Sequence, residues 1–290
     1  INFLRILAIF PLSIVRSIGS VMGRLSWLLS SRMAETSKIN LQLCYPEADK
    51  IKREILAKNS IINTFQTLTE SGPAWLWPTG KVMDRIVEVE GLDLLKQAHA
   101  SGKGTVVLAP HLGNWEVFGL YLNNCGCGQS SQLYQAPKNK HLDKLIYNAR
   151  SRAGANMVAT NNKGVALLLK SLKRGEMVGI LPDQVPPESG GEFAPLFGKE
   201  VLTMTLVSRL IHKTGASAVL GFAARVTTGK KTGWKIIFRK VDDKVYAKHI
   251  LESVSAINRS IENAVNEYPE QYQWEYKRFK RLPPGEHRPY

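Results

Sequence analysis

The sequence predicts an α/β protein with a mainly parallel central sheet flanked by helices. Three observations carry this. Helical and extended patterns alternate from about residue 50, without internal repeat or low-complexity linker. The run Thr-Val-Val-Leu-Ala at 105–109, preceded by Gly102 and Gly104, is short, apolar and rich in β-branched residues, as a buried parallel strand should be. Two strand-like runs end in Pro followed by a polar residue, which suits the carboxyl edge of such a sheet. With 290 residues and 44% hydrophobic content, the chain can bury one sizeable core, expected over 31–290 after a separate helical segment at 1–30.

In that first segment, Leu4, Leu7, Ile14, Ile18, Val21, Leu25 and Leu28 fall on one helical face. Arg5, Arg16 and Arg24 group on the other side, with Ile9 and Leu12 among them, and Pro11 should kink the helix. No stretch is long enough to span a bilayer without an Arg, so the segment reads as an amphipathic helix lying in a membrane interface. A buried core helix has the same periodicity. Helices follow at 50–68, with Ile51, Ile55, Ile62 and Phe65 near one face, from about 114, and at 141–152, 164–174, 203–214 and 247–267. Strands are expected at 105–109, 132–135, near 157, at 177–181, 218–225 and 234–239.

Lys and Arg total 39 against 24 Asp and Glu, a net charge of +15, so an anionic partner is expected. The basic stretches Lys230-Lys231, Lys235, Arg239-Lys240, Lys277-Arg278 and Lys280-Arg281 are candidate docking surfaces. Nucleic acid is not expected, because no helix-turn-helix, zinc-finger or RRM signature accompanies the charge. Cys44, Cys125 and Cys127 are too few for a zinc site and odd in number for a disulfide framework. Ser101-Gly102-Lys103-Gly104-Thr105 fails as a phosphate loop: Gln97 stands at its first Gly position, Gly104 replaces Ser/Thr, and the run precedes its strand. Trp75, Trp77 and Pro78, after Gly72-Pro73, form an aromatic loop that either meets lipid, closes an apolar tunnel or packs a core.

The search for chemistry centres on the two strand ends, where Pro110 leads to His111 and Pro182 to Asp183. Glu116 follows His111 by five positions across a turn containing Gly113, so the two side chains can meet. A carboxylate on one imidazole nitrogen fixes the tautomer and leaves the other free to take a proton from an attacking hydroxyl. No G-x-S-x-G elbow supplies a resident nucleophile, so the acceptor's own hydroxyl is the expected attacker. Backbone N–H groups of Gly113 and Asn114, at the start of the next helix, are oxyanion candidates. The same residue types also fit a core histidine beside an unrelated glutamate.

His111 to Glu116 resembles the His-x4-Glu block of the bacterial lipid A late acyltransferases, within the wider glycerolipid acyltransferase group. Other blocks resemble that family in order: Tyr134-Gln135-Ala136-Pro137-Lys138-Asn139, the helix bearing Arg150 and Arg152, Leu181-Pro182-Asp183-Gln184, Phe193 to Gly198, and Pro269 to Trp274 with Lys277 to Lys280. Gln135 stands where many relatives carry Arg. The resemblance implies a glycerolipid acyltransferase-like fold, His111 as general base and Glu116 as its orienting partner. Arg150 or Arg152 would bind phosphate or polarise a thioester carbonyl, and Asp183 with Gln184 would shape the site. It further implies acyl transfer from acyl carrier protein, a co-substrate with no other cofactor, to a 3-hydroxyacyl chain of a lipid A precursor. The expected location is the cytoplasmic face of the inner membrane. His-x4-Glu alone also fits a glycerophosphate or other glycolipid acceptor, and charge alone fits a non-catalytic basic membrane- or nucleic-acid-binding protein.

Overall fold

The computed structural model describes residues 1–228 and 231–290; Lys230 lies outside the described residues. Helices α1 (Asn2–Leu7), α2 (Leu12–Leu28), α3 (Arg32–Cys44), α4 (Lys50–Leu76) and α5 (Thr79–Met83) precede the sheet. Strand β1 (Ile86–Glu90), α6 (Leu92–Ala100), β2 (Thr105–Leu108), α7 (Trp115–Leu122), β3 (Ser130–Tyr134), α8 (Lys140–Ser151), β4 (Asn156–Ala159), α9 (Asn162–Lys173) and β5 (Met177–Ile180) then alternate. The hairpin β6 (Gly191–Leu196) and β7 (Lys199–Met204) leads to α10 (Leu206–Thr214), β8 (Ser217–Thr228), β9 (Lys231–Lys240) and α11 (Ile250–Glu267). The seven-stranded sheet runs β1-β9-β8-β2-β5-β3-β4, and among the described residues only β8 and β9 pair antiparallel within it. The architecture is the expected one.

Strand β1 and the β6–β7 hairpin are additions to the expected elements, and two helix boundaries differ, for identifiable reasons. The edge strand β1 reads Ile-Val-Glu-Val-Glu, and Glu88 and Glu90 pair with Lys235 across the sheet. The region after residue 183 folds into a hairpin whose two-residue turn places Phe197 and Gly198 at φ +48° and +72°, the turn that matches strand twist. Helix α10 therefore begins only at Leu206. Helix α4 continues through Gly72-Pro73 to Leu76 instead of ending at 68. Gly72 is needed there because a Cβ would lie 2.7 Å from the Leu4 carbonyl oxygen. The Trp75–Trp77 stretch is thus a helix end, and the Trp77 indole is buried, donating to the Ala8 carbonyl at 2.7 Å. Arg152 caps the same end, donating to the carbonyls of Ala74 at 2.7 Å and Trp75 at 2.9 Å.

The amino-terminal segment is two helices rather than one kinked helix, broken between Leu7 and Leu12, with Pro11 at the N-cap of α2. Its orientation inverts an ordinary amphipathic helix. Leu12, Val15, Arg16, Gly19 and Gly23 face the body, while Ile14, Val21, Leu25 and Leu28 are exposed. Helix α2 packs on α4 with no room for side chains at the crossing: a Cβ on Gly19 would lie 2.7 Å from Gln66 Cα, and one on Gly23 2.6 Å from Ile62 Cα. No helix among the described residues is long and apolar enough to cross a membrane.

Arg16 is not on an exposed polar face. Its Nε donates to Glu70 Oε1 at 2.6 Å, and Glu70, wholly buried, also receives Arg225 at 2.9 and 3.0 Å and Asn114 Nδ2 at 2.8 Å. Long-range pairing explains the inversion, since an unpaired buried carboxylate would be costly. Burial alone raises the Glu70 pKa, but Arg225 and Arg16 outweigh it and bring it down to about 2. Part of the expected docking surface is likewise consumed internally, while Lys280 stays exposed. Lys235 and Arg239 pair with Glu90, Arg239 also pairs with Glu267, and Arg278 is buried against the Leu202 carbonyl and Thr203.

Two outcomes follow from these contacts. A depressed carboxylate pKa stabilises the fold fully above its unfolded value and loses that contribution as pH falls through the folded value. Urea titrations between pH 5 and pH 2, bracketing the Glu70 shift from 4.5 to about 2, should therefore show falling stability, and Glu70→Gln should flatten that dependence. An unchanged slope in the variant would rule the contribution out. Arg152→Ala should lower the unfolding free energy by about 1–3 kcal/mol, because it strips charged donors from buried carbonyls. A change below about 0.5 kcal/mol, the scale of surface substitutions, would count against the cap.

Candidate active site

The site is built by strand register. In the parallel pair β2 and β5, Leu108 lies opposite Ile180, and each strand continues through two residues, the second a proline. His111 and Asp183 therefore emerge at equal distance beyond two hydrogen-bonded neighbours. The His111 Nδ1 lies 2.8 Å from Asp183 Oδ1, and the His111 backbone N–H donates to Asp183 Oδ2, also at 2.8 Å. Both carboxylate oxygens thus hold one residue. Burial pushes the Asp183 pKa up, but the His111 ring and its side-chain and backbone hydrogen bonds outweigh this and hold it below the usual carboxylate range. An ionised Asp183 accepting from Nδ1–H leaves Nε2 as the basic nitrogen. The Gln184 amide Nε2 lies 3.2 Å from it, donating to that lone pair.

The chain after His111 is locked by distant segments. Gly113 sits at φ +65°, and a Cβ there would lie 2.1 Å from the Ala223 carbonyl oxygen, so no other residue fits. Its N–H donates to the Gln271 carbonyl at 3.0 Å, and the Asn114 N–H donates to the Ala223 carbonyl at 2.8 Å. The backbone groups expected to hold an oxyanion are therefore already committed. The Asn114 side chain caps α7, accepting from the Val117 N–H at 3.1 Å while donating to Glu70. The carboxyl-terminal segment straps the turn: the Gln273 N–H donates to the His111 carbonyl at 3.1 Å, and Gln271 pairs through its side-chain amide with the Arg225 backbone. No local pattern betrays these contacts, which join residues far apart in the chain.

Glu116 does not hold His111. Its two oxygens receive Arg150 Nε at 2.9 Å and Nη2 at 2.5 Å, a forked pair. Burial raises the Glu116 pKa, but the Arg150 charge and hydrogen bonds dominate and lower it. The His-x4-Glu spacing places Glu116 in the first turn of α7, on the same cavity as His111, while the imidazole partner comes from the neighbouring strand end. Arg150 reaches from the last turn of α8 and also lies over the Tyr134 ring, 5.6 Å from its centroid. Arg152 points away and serves the end of α4, so of the two expected arginines only Arg150 lines the cavity.

That cavity, about 870 Å³, opens beside His111, Glu116, Arg150 and Gln184. One part is apolar, bounded by Ala109, Phe118, Leu122 and Leu181. Another reaches the exposed Arg209 and Lys213, one helical turn apart on α10, with Gln135 also on the wall. An imidazole held by a buried carboxylate, a cation held by another and an apolar recess thus share one space, an arrangement that can take a proton from a hydroxyl beside an apolar chain.

Comparison with known proteins identifies the family. The family described as bacterial lipid A biosynthesis acyltransferase matches residues 1–281. The chain is 27% identical over 277 residues to the lipid A biosynthesis palmitoleoyltransferase of Escherichia coli K12, covering 95% of this chain and 88% of that protein. It is 25% identical over 279 residues to the lauroyltransferase of the same organism, covering 95% and 88%, and 25% identical over 270 residues to its myristoyltransferase, covering 93% and 82%. By the extent of that match the chain belongs to the bacterial lipid A biosynthesis acyltransferase family.

Proposed function

We propose that this protein transfers a fatty acyl chain from acyl carrier protein to the hydroxyl of a 3-hydroxyacyl chain on a lipid A precursor, with His111 as base. The observation that carries the reading is the 2.8 Å contact between His111 Nδ1 and buried Asp183 beside the apolar recess. Nε2 takes the proton of the incoming hydroxyl, which displaces the Gln184 amide. The oxygen attacks the thioester carbonyl, the tetrahedral intermediate collapses, and the departing thiolate takes the proton from the imidazolium. Asp183 orients the ring and offsets its transient charge. Arg150, held in place by Glu116, is the cation at hand for the developing oxyanion, since the Gly113 and Asn114 amides are engaged elsewhere.

Two further features favour this substrate pair. Arg209 and Lys213 offer positive charge at the cavity wall to an acidic carrier protein or a phosphorylated sugar. The outward stripe of Ile14, Val21, Leu25 and Leu28, continued by Ile6, Ile9 and Leu29, is an apolar surface of the kind that docks on a bilayer. It would hold the protein on the cytoplasmic face of the inner membrane, beside a lipid that does not leave it.

Mass spectrometry of lipid A from cells lacking and then regaining the gene should show gain of one acyl chain, and identical spectra would refute the assignment. In purified protein, His111→Ala and Asp183→Asn should each lower transfer by about 10²–10⁴-fold. Glu116→Ala should also be severely impaired, through loss of the held Arg150. Near-normal transfer by the His111 variant would exclude it as the base. For the membrane surface, Leu25→Glu with Leu28→Glu should weaken co-sedimentation with anionic vesicles at least about tenfold, given about 1.5–3 kcal/mol per buried leucine. Unchanged sedimentation would move the contact elsewhere.

A further inference from the structure

The apolar part of the cavity exists because side chains are missing at two facing positions. Gly179 lies within central strand β5, with Val107 and Gln132 as its neighbours on β2 and β3. Gly119 lies on α7 above it, and both glycines line the cavity together with Phe118 and Leu122. A side chain at either place would take space from the cavity beside Gln132.

Gln132 occupies the far side of that gap. A Cβ on Gly179 would lie 3.5 Å from Gln132 Cγ and 4.0 Å from Leu122 Cδ1, and a Cβ on Gly119 would lie 3.2 Å from Gln132 Oε1. The Gln132 amide is also tied down, donating through Nε2 to the Gly119 carbonyl and to Ser130 Oγ, both at 3.1 Å. A fixed polar group therefore stands on the cavity wall where Gly119, Gly179 and Leu122 come close to it. A methylene pushed against it would strip an amide of its partners without compensation.

We propose that Gln132, clasped between Gly119 and Gly179, is the end stop of an acyl-chain slot and sets the tail length that this protein accepts. The inference rests on the reading above for the identity of the reacting chain, but the slot can be tested without turnover. Calorimetric binding of free saturated fatty acids of increasing length to the full chain measures it directly. Affinity should rise about fourfold per added methylene while the tail is still entering the slot, then level off once it meets Gln132. Gln132→Ala should move that break to longer tails, gaining about fourfold for each methylene newly admitted. Gly179→Ala, whose added methyl makes only ordinary contacts, should move it to shorter ones. Both variants should melt like the wild type, and acyl transfer with a series of donors should shift its preferred length in the same directions.

Absence of any break, or a break that stays in place in two folded variants, would overturn the proposal. Breaks that move while no donor supports transfer would leave the slot standing and refute the acyltransfer reading instead. If Gln132→Ala does not fold, the Gly179 variant alone decides, because an unmoved break there is equally fatal.

Discussion

The hydrogen-bonded parallel ladder between β2 and β5 is the constraint on which the site depends. Because Leu108 faces Ile180 and both strands leave the sheet through the same number of residues, His111 and Asp183 arrive together without any long-range search. Each is preceded by a proline, which fixes backbone direction where the ladder ends. The carboxylate then receives both the imidazole and the backbone N–H of the same histidine, so ring position and main-chain position are set by one group. Shifting either strand by one residue would place the two side chains on opposite faces of the sheet.

A second constraint lies behind this one. The buried Glu70 carboxylate ties together α2 through Arg16, β8 through Arg225, and the cap of α7 through Asn114. Two arginines and one carboxylate removed from water are not a cheap source of stability, and breaking such a set typically costs about 3–5 kcal/mol because a charge is left uncompensated. What the set provides is position: the helix that carries the exposed apolar stripe and the turn that carries His111 share one ionic node. Gly113, pressed against the Ala223 carbonyl, and the strap through Gln271 and Gln273 complete the immobilisation.

Within this frame the His-x4-Glu spacing of this chain acquires a divided role. His111 belongs to the strand end and answers to Asp183, whereas Glu116 belongs to the helix and answers to Arg150. Both face one cavity, so the spacing delivers an imidazole and a carboxylate-anchored cation to the same space, rather than an imidazole and its own carboxylate. The neighbouring recess is shaped by absence, at Gly119 and Gly179, as much as by the residues that line it.

Much of the architecture was legible in the sequence, because apolar periodicity and the alternation of strands and helices are local consequences of burial. So were both polar strand ends, Pro110-His111 and Pro182-Asp183, although spacing along the chain favoured Glu116 as the imidazole partner. Nothing in the sequence placed β5 beside β2, and that adjacency is what selected Asp183. Arg16 read as an exposed residue because a helical wheel knows only its own turns, while its partner Glu70 is on another helix. The same limit concealed Arg152 as the cap of α4 and Arg278 as a core residue. Sequence by itself determined the alternating strands and helices of 105–181 and which residue types reach the sheet edge, since these follow from local backbone preference and apolar pattern, but not β1 or the hairpin of β6 and β7. Tertiary structure alone decided which charge meets which and where space is left, because pairing and cavities depend on distances between segments that the order of residues does not encode locally.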